Sequence, residues 1–291
     1  MNIRKNLRRV AVWCFAIFTL TGCELLDRPE QIPAFVHIPE ITLIDNSAVN
    51  AGSLSSKIVD AWVYIDDQLI GAFELPCTFP VLMEGEHRIT VYAGIYMNGV
   101  KTTRVYYPFY TGFEKNITLV PDSIITVQPV VAYSSVVKLP FHENFELGGV
   151  MLEDGTKSLT SLFKTSDSAE VFEGNFSGKV VLNDTDSVFQ AVSIQSYQLP
   201  TAGGNVFVEL NYKSEADIII GIYAIKASQI IAHEVAGVLP KNEWNKIYIN
   251  LTPAVFREND ALSFKIFFGS LLPSGKSEAT VLIDNIKLLH F

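Results

Sequence analysis

Hydrophobic and polar positions alternate along most of the chain after residue 57. In Val59-Asp60-Ala61-Trp62-Val63-Tyr64-Ile65, Val59, Ala61, Val63 and Ile65 fall on one face. A period of two is the signature of a strand with one buried side. Asp66-Asp67-Gln68 supplies turn chemistry and Leu69-Ile70-Gly71 begins the return. Arg88-Ile89-Thr90-Val91-Tyr92 alternates again, and residues 103–107, 115–120 and 124–131 predict further strands. Short strands at a spacing of about ten residues are what a small antiparallel sandwich requires.

Val137-Lys138-Leu139-Pro140 reads as a domain junction. Beyond it residues 206–212, 247–251 and 264–268 alternate, while 218–222 and 281–289 are apolar enough to be buried on both sides. No stretch of a dozen residues has helical periodicity. The pattern predicts an all-β chain of two β-sandwich domains, residues 57–137 and 138–291. Before them, residues 24–40 hold Pro29, Pro33 and Pro39 with little periodicity, and residues 46–56 are rich in Ser, Asn, Ala and Gly. Residues 23–56 therefore predict an extended tether.

The first 22 residues have another logic. Arg4, Lys5, Arg8 and Arg9 precede an uncharged apolar run from Val10 to Leu20. That run is too short to span a hydrocarbon core of about 30 Å, and suits a secretion signal. Leu20-Thr21-Gly22-Cys23 resembles a lipobox, which implies cleavage before Cys23 and attachment of diacylglycerol to its thiol. Two or three acyl chains anchor a protein firmly to a bilayer. Glu24, rather than Asp, follows the cysteine and favours the outer membrane without choosing a leaflet.

Loss of the four basic signal residues takes the net charge from −9 to −13. An acidic body excludes nucleic-acid binding through a phosphate-neutralising patch. With Cys14 in the signal and Cys23 lipidated, Cys77 stands alone and has no disulfide partner within the chain.

Two resemblances sharpen the domains. Trp62 to Gly71, Leu75-Pro76 and Gly85-Glu86-His87-Arg88-Ile89-Thr90-Val91 resemble a PEGA-type or carboxypeptidase-regulatory-type Ig-like module, with Asp66-Asp67 in place of the usual turn glycine. The resemblance implies a surface-associated spacer or binding unit. Phe141-His142-Glu143-Asn144-Phe145-Glu146, the stretch from Asn242 to Leu251 around Trp244, and Ile283-Asp284-Asn285-Ile286 resemble the galactose-binding-like jelly rolls of many carbohydrate-binding modules. That family often holds a structural Ca²⁺ between its opening and closing strands. Glu146 and Asp284 occupy the matching positions; the alternative is that Asp284 bonds a neighbouring loop.

No phosphate loop, His-x-x-x-His pair, Cys-x-x-Cys or Gly-x-Ser-x-Gly elbow occurs, and the five histidines are scattered singly. The expectation is a protein that is not an enzyme and needs no cofactor beyond that calcium. Tyr197, Tyr212, Tyr223 and Tyr248 are candidate platforms for sugar stacking, with Trp244 a core plug. Tyr106, Tyr107, Phe109 and Tyr110 form an aromatic run that suits either a core or a docking patch for a protein partner. The leading reading is a non-catalytic lipoprotein, a structural or accessory subunit of an outer-membrane assembly with an envelope protein as partner. The alternative is a surface glycan-binding lipoprotein of a polysaccharide-utilisation system.

Overall fold

A computed structural model describes residues 30–291. The expected signal, the expected lipidation site Cys23 and the first part of the expected tether lie outside the described residues.

The first domain contains β1 (Ala34–Ile38), β2 (Thr42–Ile44), β3 (Asp60–Ile65), β4 (Gln68–Glu74), β5 (Cys77–Val81), β6 (Gly85–Tyr96), β7 (Arg104–Tyr106), β8 (Phe113–Leu119), β9 (Ile124–Thr126) and β10 (Val130–Ala132). One layer runs β4-β3-β6-β7, with β8 paired to the first half of the long β6 and β7 to its end. The other layer comprises β5-β1-β9 and the pair β10-β2. Ala61, Val63 and Ile65 of β3 and Ile89, Val91 and Ile95 of β6 face inward and are fully or almost fully buried.

The tether reading is corrected from residue 34 onward. Ala34, Val36 and Ile38 are fully buried, and β1 pairs antiparallel with β5 and parallel with β9. Pro33 and Pro39 flank this strand, where a missing N–H costs no ladder bond. The partners lie some 40 and 90 residues away, so local periodicity could not reveal the pairing. Residues 46–56 are likewise folded against the second domain. Gly52 sits there at φ +64°, and any Cβ would strike the imidazole of His142. Both conformation and space demand glycine.

The second domain contains β11 (Lys138–Glu143), β12 (Leu152–Asp154), β13 (Phe163–Thr165), β14 (Ser177–Asn183), β15 (Val188–Ser193), β16 (Val206–Ser214), β17 (Ile218–Ile225), β18 (Ile230–Val238), β19 (Lys241–Asn250), the short helix α1 (Thr252–Arg257), β20 (Ser263–Leu271) and β21 (Glu278–His290). A six-stranded sheet, β13-β14-β21-β16-β19 with β11 beside β21, packs on a five-stranded sheet, β12-β15-β20-β17-β18. Val180, Leu210, Ile220, Ile249, Phe268 and Ile283 fill the space between them. The chain is all-β and built from β-sandwiches, the second of them a jelly roll.

The two sandwiches share a core. The outer face of the six-stranded sheet contributes Phe207, Tyr248 and Leu289 to the apolar cluster of the first domain. Tyr107 packs on Phe207 at 5.6 Å and on Tyr248 at 4.8 Å between ring centres, and Phe109 meets Phe207 at 5.7 Å and Phe291 at 4.9 Å. A hairpin loop of the first domain docks on β19 through its backbone. The Asn98 amide donates to the Tyr248 carbonyl, and the Asn250 amide donates to Asn98 Oδ1, both at 2.8 Å.

A charged network lies inside this interface. Glu209 of β16 is wholly buried and accepts hydrogen bonds from the hydroxyls of Tyr107 (2.6 Å) and Tyr133 (2.9 Å). The Lys246 ammonium lies 2.9 Å from its carboxylate. Lys287, also wholly buried, donates to the Ser53 carbonyl at 2.7 Å and sits over the Tyr133 ring. Burial alone would raise the Glu209 carboxyl. The charges of Lys246 and Lys287 and the Tyr107 hydrogen bond outweigh it and hold the group ionised below the usual range. Burial pushes the Lys287 ammonium down to about 7.

Candidate functional site

Most of the aromatics singled out from sequence are internal. Tyr107, Phe109 and Tyr110 are at most 5% exposed and belong to the interdomain core, so they are not free to dock a partner. Tyr248 is 1% exposed in the same core, and its hydroxyl accepts the Lys57 amide at 2.8 Å. Tyr197 and Tyr212 lie within the jelly roll, Tyr197 against Phe141. None of these can lie flat against a sugar. Tyr223 is half-buried, leaning on Phe267 and donating to Gln190 Oε1 at 3.2 Å. Trp244 is half-buried beside Phe172 rather than in the core. Of the docking run, only Tyr106 is open, at 50% exposure.

Tyr106 leads to a surface the sequence reading missed. Alternation on β3 sends Ala61, Val63 and Ile65 inward, so Asp60, Trp62 and Tyr64 lie on the outer face, where Arg104 covers Asp60. On β6, Thr90, Tyr92, Gly94 and Tyr96 share that outer side, and register places Tyr92 opposite Trp62 and Tyr106 opposite Gly94. The rings meet across the strands. Trp62 and Tyr106 are 6.0 Å apart edge to face, Tyr64 and Tyr92 5.8 Å edge to face, and Tyr92 and Tyr106 5.8 Å tilted. Gly94 is needed here, because a Cβ would strike Asp60 and the Trp62 indole. The result is a row of four aromatic side chains on the outer face of a sheet, Tyr106 half exposed and Trp62, Tyr64 and Tyr92 half-buried against one another.

Polar groups frame the row. A depression of about 360 Å³ is lined by Tyr64, Asp67, Thr90, Tyr92, Tyr106 and Glu114. Asp67 belongs to the β3–β4 turn, where Asp66 and Asp67 take φ +48° and +66° in place of glycine. That strain is offset locally. The Asp66 carboxylate is hydrogen-bonded to His87 at 2.6 Å and accepts the Arg88 amide at 3.0 Å, and Arg88 reaches Asp67. The His87 bond is the largest cause holding the Asp66 carboxyl below its usual range, and it raises His87 in turn. At the other end Arg104 pairs with Asp60 and with Glu74 (2.8 Å) and lies over the Tyr96 ring. Flat apolar rings flanked by acceptors and donors can stack on a sugar face and bond its hydroxyls.

The candidate calcium ligands are held by the protein itself. The Glu146 carboxylate accepts from the Asn175 amide (2.8 Å), the Asn175 side chain (3.1 Å) and the Phe176 amide (2.9 Å). Asp284 Oδ2 accepts the Ser177 hydroxyl at 2.6 Å, and Oδ1 accepts the Asn285 amide at 2.7 Å. Burial pushes Asp284 up to about 7, an environment short of neutralising charge. Among the described residues no group of three or more His, Cys, Asp or Glu is arranged to hold a metal ion. These donor sets do not fit a shared calcium ion. Chelator is expected to leave the melting temperature of the full-length protein unchanged; a drop of more than about 3 °C, abolished by Asp284→Ala, would show a bound ion.

Carboxylates that lie close in sequence, Glu143 with Glu146 and Asp184 with Asp186, serve local structure. Glu143 caps a loop through the Phe145 and Met151 amides, and Asp186 closes a turn with Asn183. Among the described residues no helix is long and apolar enough to cross a membrane.

No curated protein matches the sequence. Among solved structures, a study of carbohydrate-binding modules of the β-sandwich superfamily is similar at 14% identity and a TM-score of 0.42, over 89% of this chain and 99% of that one. The CBM22-2 xylan-binding domain of Paenibacillus barcinonensis Xyn10C gives 12% identity and a TM-score of 0.39, over 52% of this chain and 99% of that one. The xylan-binding domain of CBM 22 gives 13%, 0.37, 52% and 93% for the same four measures. Residues 53–107, which contain three rings of the aromatic row on β3 and β6 and the fourth, Tyr106, on β7, match the family model of the PEGA domain.

Proposed function

We propose that this chain is a non-catalytic glycan-binding lipoprotein, anchored to the outer membrane through Cys23, which recognises sugars on the aromatic face of its first domain. The observation that carries this reading is the row Trp62, Tyr64, Tyr92 and Tyr106, with Asp67 and Glu114 beside it. Soluble proteins seldom leave a continuous aromatic surface on an open sheet without a ligand for it. Flanking carboxylates are acceptors for sugar hydroxyls and would be costly inside a dry protein interface. The reading as a subunit of an envelope assembly loses the run that supported it, because Tyr107, Phe109 and Tyr110 are spent within the molecule.

The test is affinity electrophoresis of the full-length protein in detergent, through native gels containing neutral plant and bacterial polysaccharides. At least one is expected to retard the protein, and Tyr106→Ala or Tyr92→Ala to weaken that binding about tenfold, the equivalent of ~1.4 kcal/mol of stacking and apolar contact. Tyr106 is half exposed, so its loss leaves the fold intact. Retention unchanged in both variants, or co-purification with an envelope protein through this same face and no glycan binding, would overturn the reading.

A further inference from the structure

The aromatic row does not stop at Tyr106. Tyr96, on the same side of β6, continues it past Arg104 to the edge of the domain. There Tyr96 also lines a cleft of about 350 Å³ between the two domains. Its lining comes from both domains, with Tyr212 of β16 and the end of β18 on one side, and three of its segments each carry an exposed lysine. Lys57 precedes β3, Lys101 stands in the β6–β7 loop, and Lys241 opens β19.

The charge of this cleft opposes that of the molecule. None of its lining residues is acidic, although the protein as a whole carries −9. Lys57, Lys101 and Lys241 are exposed and form no ion pair among the described residues. Among the described residues the Lys57 ammonium donates to the Asn245 side chain alone. Its ammonium is held below the usual range first by burial and then by the charges of Lys241 and Lys101, so the three share one field. Like charges gathered without counter-charges repel one another, and an anion relieves that cost.

The lysines are also held in place. The Lys57 amide donates to the Tyr248 hydroxyl. The Lys101 loop is tied to β19 through Asn98, and a Cβ on Gly99 would strike Ile247. The Lys241 backbone pairs with Ser214. Both domains thus build the cleft, and it exists only when they are docked.

We infer that the interdomain cleft of Lys57, Lys101 and Lys241 is a subsite for an anionic sugar, carboxylated or sulfated, within a glycan whose neutral residues lie along the aromatic row. This inference rests on the glycan-binding reading and names its substrate class. Tyr96 joins the two surfaces, so one extended chain can occupy both.

The experiment compares full-length protein in native gels containing polygalacturonate, its methyl-esterified neutral form, or dextran sulfate. At low salt a charged polymer is expected to retard the protein more than the neutral ester. The Lys101→Gln/Lys241→Gln protein should bind it at least fivefold more weakly, and the Lys101→Arg/Lys241→Arg protein should keep most of the binding. Retention should fall between about 0.02 and 0.3 M salt, as screening of exposed charges requires. Whichever acid polymer is retained through these lysines identifies the anion. Equal retention of neutral and charged polymers, or charged-polymer binding indifferent to the Gln pair, overturns the subsite. Neutral glycans bound through Tyr92 with the acid polymers ignored would remove the cleft alone. Acid polymers held through the lysines with Tyr92→Ala and Tyr106→Ala without effect would instead remove the aromatic row and leave the cleft.

Discussion

Glu209→Gln is expected to lower the stability of the full-length protein by about 3–5 kcal/mol, the usual cost of breaking a buried ion pair from one side. Glutamine keeps the shape of the side chain and an oxygen to accept from Tyr107 and Tyr133. What disappears is the negative charge, and Lys246, 5% exposed and 2.9 Å from that carboxylate, is left without a counter-charge. In a chain of this size the loss corresponds to a fall of roughly 10 °C in melting temperature, read by circular dichroism. Glu209→Gln combined with Lys246→Met should recover most of the deficit, because apolar replacement of both partners removes the stranded charge. A single-variant loss under about 1 kcal/mol would mean that the pair is not buried as described. The network joins the first domain, through Ser53, Tyr107 and Tyr133, to three strands of the second. It therefore sets the angle at which the sandwiches meet, and with it the shape of the lysine cleft.

Separating the domains should cost still more. A fragment of residues 138–291 would expose Phe207, Tyr248 and Leu289, which are at most 2% exposed in the whole chain. Each such side chain contributes about 1.5–3 kcal/mol of burial. Glu209 and Lys287 would lose partners at the same time. The fragment is expected to be insoluble, or to melt at least 10 °C below the full-length protein, which itself should unfold in one calorimetric transition. Two independent transitions, with the fragment melting where the second of them falls, would contradict the shared core. The domain order follows the chain like beads, but the energetics are those of one body. A surface formed across the junction is consequently as well positioned as one on a single sheet.

Much of the strand pattern was legible in the sequence, because a period of two is a local property. Residues 60–65, 88–92, 206–212 and 247–250 lie in strands of the structure, with Val59 and Leu251 just beyond the strand ends. The turn at Asp66-Asp67 was readable for the same reason, although only the structure reveals how His87 and Arg88 offset its backbone strain. Alternation tells which side chains share a face, and not what that face meets. On β16 the polar series Glu209 and Asn211 predicts a solvent side, yet both are at most 2% exposed, because the first domain covers them. The same pairing between distant segments turned Tyr107, Phe109 and Tyr110 from a docking patch into core.

The aromatic row shows the limit from the other direction. Trp62 and Tyr64 stand at outward positions of a strand whose inward positions are already apolar, and that signal was present in the residues. Their union with Tyr92 and Tyr106 depends on register across β3, β6 and β7, which no local pattern contains. Residues 34–44 became strands only through partners some 40 to 90 residues away. An all-β pattern, its turns and the acidic charge balance are readable in the residues alone, because each is a local or additive property. Tertiary structure decided which faces were hidden, because burial depends on long-range docking of surfaces, and a charged or aromatic side chain acquires its role only from what is placed opposite it.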